Sequence, residues 1–260
     1  MRLRHFFDPP GWSEAMDRLP HVDMIDVWTT VLRASTGDIE RFSALLSADE
    51  RDRQARMLAG VVRDRFTIAR ATLRLLAARY LGIHPGAIKF SYGPRGKPDL
   101  AGTNEGLRFN LAHSEDVAVY AFTRGHEIGV DVERVREIPD MDRIAHRFFA
   151  LDECMVLDSL PSQDRAHAFY LAWTRKEAYV KAVGDGLHIP LDSFSVTLRP
   201  GEQARLIGFD KGPRFACDWN LHSFENEPGF VGAVAYRGSR KQLKICRFRD
   251  PVFSSPGRPN

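Results

Sequence analysis

GVDVER, residues 129–134, reads as a strand with two unlike faces. Val130 and Val132 alternate with Asp131 and Glu133, so a strand here buries its valines on one side and projects two carboxylates, two residues apart, from the other. Carboxylates so close repel each other unless a cation lies between them. Magnesium fits that need, because it takes few protein carboxylates and keeps positions for water and phosphate oxygens. A surface strand with two solvated acids has the same pattern, so the segment alone leaves both readings open.

Forty residues downstream stands WTRKEAYVKAVGDGL, residues 173–187. Glu177 and Lys181 form an i,i+4 pair on one helix face. An exposed ion pair would look the same, but Phe169, Tyr170, Trp173 and Val180 bury much of this helix. A third carboxylate held rigidly beside the strand would complete a metal site, with Lys181 within reach of any phosphate the metal binds. Upstream lie FSYGPRGKPDL (90–100) and LRFNLAHSEDVAVYAF (107–122). Gly96-Lys97-Pro98 is a rigid turn presenting a compact ammonium charge suited to phosphate. His113-Ser114, at a strand end, offers donors for a pyrophosphate or a 3′-phosphate. Each also has a bland alternative, a solvated turn lysine and a loop histidine. Arg51, Arg53, Arg56, Arg63, Arg65, Arg70 and Arg74 read mostly as solvated helix faces, with one or two touching ligand.

Composition sets the bounds. The 260 residues suit two half-size units sharing an interface, and 43% hydrophobic with 27% charged residues is ordinary globular composition. A net charge of +3 suits an anionic ligand or an acidic partner but not a nucleic-acid-binding stripe. Only seven of the 37 basic residues are lysine, and Lys97, Lys176 and Lys181 fall in the segments above. Cys154, Cys217 and Cys246 form neither a metal-ligand spacing nor a disulfide framework, which favours a reducing cytoplasm. With no long apolar run and no signal-like N-terminus, the expectation is a cytoplasmic protein off the membrane.

The pattern predicts strands over 22–32, 88–91, 107–111, 117–122, 126–133, 194–198, 216–223 and 230–236. Helices are predicted over 48–59, 61–81, 141–149, 151–159 and 163–183, the last stopped by Gly184-Asp185-Gly186. The order strand, helices, antiparallel strands occurs twice, which argues for two α+β halves meeting at a cleft. The divisions are a surface segment 1–21, halves 22–125 and 126–240, and a partly disordered tail 241–260.

In order and spacing these motifs resemble the Sfp-type 4′-phosphopantetheinyl transferases. The likeness takes in RFTIARATLRLLAARYLGIHPGAIKF (65–90), the GKP turn, FNLAHS, GVDVER, RFF (147–149), WTRKEAYVKAVGDGL and PLDSFSVTL (190–198), and covers about residues 22–236. It implies an α+β fold whose two similar α/β halves are related by a pseudo-twofold axis, with the active site at their interface. It also implies transfer of the phosphopantetheine arm of coenzyme A to a serine of an apo acyl or peptidyl carrier protein. Asp131, Glu133 and Glu177 would hold Mg2+, with Mn2+ able to substitute. Lys181 would lie by the pyrophosphate. Lys97, His113, Ser114, Arg53 and Arg65 would contact the nucleotide and its 3′-phosphate. The acidic helical carrier would dock between Val135 and Phe149, on a monomer. A metal-dependent phosphohydrolase or nuclease would use the same three carboxylates but not the GKP turn or His113-Ser114. A non-catalytic coenzyme-A-binding module is the other alternative.

Overall fold

Alternation over residues 22–32 becomes strand β1 (Met24–Val31), whose interior is buried on both faces. A strand buried on both faces needs a layer on each side, and that requirement organises the molecule. In the computed structural model residues 19–93, 96–102, 106–184, 189–209 and 218–248 are described.

β1 runs antiparallel to β5 (Val117–Arg124), which pairs antiparallel with β4 (Leu107–Ser114). On the other side of β1 lies β11 (Gln242–Arg247), parallel to it, with Met24 opposite Gln242. A second sheet has β10 (Phe230–Arg237) between β6 (Ile128–Arg134) and β9 (Trp219–Phe224), all antiparallel. Two short hairpins, β2 (Phe90–Tyr92) with β3 (Pro98–Leu100) and β7 (Phe194–Val196) with β8 (Leu206–Phe209), complete the strands. The helices are α1 (Thr36–Leu45), α2 (Ala48–Ala55), α3 (Val61–Leu81), α4 (Met141–Phe148), α5 (Leu151–Asp158) and α6 (Ser162–Val183). The architecture is mixed α+β, and no helix among the described residues is long and apolar enough to cross a membrane.

Three apolar clusters hold the layers together. Trp28, Ala118, Tyr120 and Phe122 on one face of the first sheet pack against Ile68, Leu73 and Leu76 of α3. Its other face, through Ile25, Val27, Val119 and Ala121, meets Val130, Val132 and Val234 of the second sheet. The far face of the second sheet, through Leu221, Val231, Ala233 and Ala235, packs on Phe169, Ala172 and Ala178 of α6. GVDVER therefore sits in the middle of the stack. Its valines face the first sheet, and its carboxylate face is turned to α6 rather than to solvent, leaving Asp131 only 5% exposed.

Gly129 makes that arrangement possible. A Cβ built there would lie 2.0 Å from the Ala178 carbonyl oxygen and 2.4 Å from the Ala182 nitrogen. Helix α6 thus rests directly on the β6 backbone, and a glycine is the only residue the contact admits.

Several sequence expectations need correction. The sequence pattern predicts a tail over 241–260, but Gln242–Arg247 is a sheet strand; residues 249–260 lie outside the described residues. Helix α1 was not expected, although Ser35 caps it by accepting the Asp38 amide at 3.3 Å, as an N-cap serine does. Nor were β3 and β8. Residues 1–18, Asp185, Gly186 and Leu187 of the long motif, and Cys217 fall outside the described residues, and the strand expected from 216 is described from Trp219. The helix arginines are not uniformly solvated. Arg70 and Arg74 are 8% and 1% exposed and share Glu50, itself 2% exposed, at 2.5 Å each. Glu50 also accepts the Ser47 amide at the start of α2, so one carboxylate joins α2 to α3. Its paired arginines hold its pKa down against the upward push of burial.

Candidate active site

A cavity of about 760 Å³ opens between α3, the β2–β3 turn, β4 and the C-terminal end of α6. Its walls hold Arg53, Arg65, Lys97, His113 and Lys181, five of the nine residues singled out in the sequence. Met57, Val62 and Phe66 line it as well, and the Arg53 guanidinium lies over the Phe66 ring. A lining that mixes cations with apolar side chains suits an anion carrying a flat or aliphatic body.

Two of the cations are placed by identifiable contacts. The guanidinium of Arg53 lies over the Phe66 ring, 5.3 Å from its centre. Arg65, one turn into α3, buries an Nε that has no hydrogen-bond partner. Lys97 Nζ donates to the Lys181 carbonyl oxygen at 2.7 Å, joining the GKP turn to the last turn of α6. Lysine is favourable there, because the last carbonyls of a helix are unpaired and carry partial negative charge. His113 has its pKa lowered by the protein packed round it, and then by the nearby Lys181 and Arg65 charges. At ordinary pH it is a neutral donor and acceptor.

The carboxylates lie behind this wall. Lys181 Nζ binds Asp131 Oδ1 at 2.6 Å. Glu133 Oε2 accepts from Ser114 Oγ at 2.6 Å, and Ser114 Oγ accepts in turn from the Arg134 amide at 3.3 Å. Asn110 Oδ1 accepts from the Val130 amide at 2.9 Å, fixing β4 beside β6. Burial raises the pKa of Asp131 to about 7; Lys181 opposes that rise, while Glu133 and Glu177 add to it. Asp131 therefore feels the charge of one acid on its own strand and of another across the β6–α6 seam.

Among the described residues no group of three His, Cys, Asp or Glu side chains is gathered to hold a metal ion. Two features nevertheless fit a hard divalent cation. Asp131 Oδ2 is buried without a hydrogen-bond partner, and the charges of Glu133 and Glu177 both act on the same carboxyl group. A buried oxygen without a partner, on a carboxyl group repelled by two further acids, is where a cation would offset the most repulsion.

The sequence reading grouped Lys176 with Lys97 and Lys181, but the structure removes it from the site. Lys176 is fully buried against Glu153 and does not line the cavity. It also passed over Asn110, Met57, Val62 and Phe66. Asn110 lies within FNLAHS, but Met57, Val62 and Phe66 carry no signal separable from ordinary helix burial.

Residues 127–235 match the family model described as the 4′-phosphopantetheinyl transferase superfamily. Over 228 residues the chain is 36% identical to 4′-phosphopantetheinyl transferase HetI of Nostoc sp., spanning 87% of this chain and 93% of that protein. Over 195 residues it is 29% identical to 4′-phosphopantetheinyl transferase Sfp of Bacillus subtilis, spanning 75% of this chain and 84% of that one.

Proposed function

The chain belongs to the 4′-phosphopantetheinyl transferase superfamily, and on that footing we propose how its residues carry out the transfer. The enzyme moves the phosphopantetheine arm of coenzyme A to a serine of an apo acyl or peptidyl carrier protein, releasing 3′,5′-ADP. The observation that carries this assignment of the site is the position of Lys181. Its ammonium lies in the cavity wall and on Asp131 at once, linking the cationic cavity to the acids.

The cavity cations receive the phosphates of coenzyme A. Arg53, Arg65, Lys97 and His113 hold the nucleotide and its 3′-phosphate, and Ser114 stands beside the pyrophosphate. Asp131, Glu133 and Glu177 would hold magnesium, with manganese able to serve in its place. When bound, the ion neutralises charge on the pyrophosphate oxygens. The chain's own residues do the rest. Glu177, on the helix face turned to Asp131, takes the proton as the carrier serine oxygen bonds to phosphorus. The bond from that phosphorus to the departing 3′,5′-ADP oxygen breaks, and Lys181 stabilises the charge that collects there. Binding supplies the alignment, which is most of what phosphoryl transfer needs from a protein.

The halves 22–125 and 126–240 are taken to be related by a pseudo-twofold axis with the site between them. In support, each lays one long helix against its own strands, α3 of 21 residues and α6 of 22. An acidic helical carrier would dock between Val135 and Phe149, where Arg136, Arg143 and Arg147 are exposed around α4. The enzyme would work as a cytoplasmic monomer.

The test is to incubate the protein with coenzyme A, magnesium and apo carriers and to weigh the carriers by mass spectrometry. The carrier should gain one phosphopantetheine, magnesium withdrawal should stop the gain, and Asp131→Ala should abolish it in a variant that melts normally. An Asp131→Ala protein that still modifies a carrier at the wild-type rate would remove the acid site from the mechanism.

A further inference from the structure

Lys176 is adjacent to Glu177 in sequence yet turned into the protein, and it is fully buried with Glu153, which is 1% exposed. Its Nζ lies 2.7 Å from Glu153 Oε2 and donates to the carbonyls of Leu191, at 2.6 Å, and Phe194. All three N–H bonds of the ammonium are thereby occupied. Glu153 accepts the Ala150 amide at the start of α5 and the Val196 amide of β7, both at 2.8 Å. One ion pair therefore joins α6 to the first turn of α5 and to the segment Leu191–Val196.

A buried ion pair is a costly way to fill a core. Apolar residues of similar size often give equal or greater stability, but they supply no directional bonds. The direction of those bonds matters here because of where they act on α6. With about 100° between successive residues, Ala178, which rests on Gly129, stands about 200° round from Lys176. Glu177 and Lys181 stand about 100° and 140° round, between the two contacts. The helix is thus held on opposite sides, by Gly129 and by the Lys176–Glu153 pair, with its functional face between them.

We propose that the Lys176–Glu153 pair is a positioning element that fixes the rotation of α6, and with it the placement of Glu177 and Lys181 against Asp131 and Glu133. This rests on the transferase reading above. Neither residue touches substrate; both act through the helix.

The decisive variant is Lys176→Met with Glu153→Gln, which removes both charges while keeping size and one acceptor. It should melt within a few degrees of wild type and keep its KM for coenzyme A within about threefold, while kcat falls at least about tenfold. Hydrogen exchange over residues 190–196 should quicken in the same protein. In a Glu177→Gln background the pair's removal should produce little further loss, since it works through Glu177. A folded double variant with wild-type kcat, or a loss that simply multiplies with that of Glu177→Gln, overturns the proposal. Should the double variant not fold, Glu153→Gln alone is read the same way; if neither folds, the pair is a stability element only and the positioning role is withdrawn. Failure of the transferase reading looks different: wild type would modify no carrier, while the hydrogen-exchange change persisted.

Discussion

Replacing Gly129 by alanine tests the seam on which the site is built. Glycine to alanine in a permitted conformation ordinarily stabilises a protein by about 0.4–1 kcal/mol, through the unfolded chain. At Gly129 the sign should reverse, because the new methyl carbon would fall 2.0 Å from the Ala178 carbonyl oxygen and 2.4 Å from the Ala182 nitrogen. Both obstacles are helix backbone, so no rotamer change relieves them. Reaching even 3.0 Å, the shortest contact such a carbon makes, requires α6 and β6 to part by about 1 Å, and such overpacking costs roughly 1–3 kcal/mol. For a chain of this size that lowers Tm by about 2–12 °C. The same 1 Å moves Glu177 and Lys181 away from Asp131 and Glu133, and a misplacement of that order costs about 100-fold in rate. The assay is thermal melting together with steady-state transfer to a carrier protein. Gly37→Ala is the control, since nothing lies within 4 Å of its added carbon; it should melt slightly higher and turn over normally. A Gly129→Ala protein that melts and turns over like wild type would refute the argument that helix and strand are in backbone contact.

Other outcomes follow from the same geometry. Glu177→Gln should lower kcat at least about 100-fold, and Lys181→Ala should lower kcat strongly with a smaller effect on coenzyme A affinity; normal turnover in both would reduce the two residues to a surface pair. Lys97→Ala should weaken coenzyme A binding by about 1–3 kcal/mol in calorimetry, and should weaken 3′-dephospho-coenzyme A much less if the contact is to the 3′-phosphate. Equal losses would leave Lys97 with its bond to α6 alone. His113, depressed below its ordinary 6.5 by surrounding protein, Lys181 and Arg65 against the opposing pull of Glu133 and a backbone hydrogen bond, contributes stability that is present above 6.5 and lost as pH falls through its folded pKa. His113→Gln should therefore lose less Tm than wild type between pH 7 and pH 5, and parallel curves would contradict it.

The local pattern carried much of this molecule. Helix α3 begins at Val61 and ends at Leu81 as its periodicity predicts, with Gly82 in the left-handed conformation that closes it. The valine face of β6 was equally legible, because alternation reports on the strand itself. What stayed hidden depended on partners distant in sequence. Nothing in the spacing of Arg70 and Arg74 says that Glu50 folds over them, and nothing around Lys176 says that Glu153 meets it in the core. Gln242–Arg247 has the short alternation of Leu243, Lys244 and Ile245, but its neighbour is a parallel strand at the opposite end of the sequence. The cations of the cavity were readable as motif residues; their common location required the fold.

That distant pairing shapes how the protein is made. Synthesis proceeds from the N-terminus, so β1 leaves the ribosome long before β11 exists to cover its edge. Until then one side of β1 offers unpaired amides and carbonyls to any passing strand, and the loop that must close is nearly the whole chain. A nascent or truncated chain ending before Gln242 should consequently be prone to sticking and slow to settle, whatever the state of its catalytic residues.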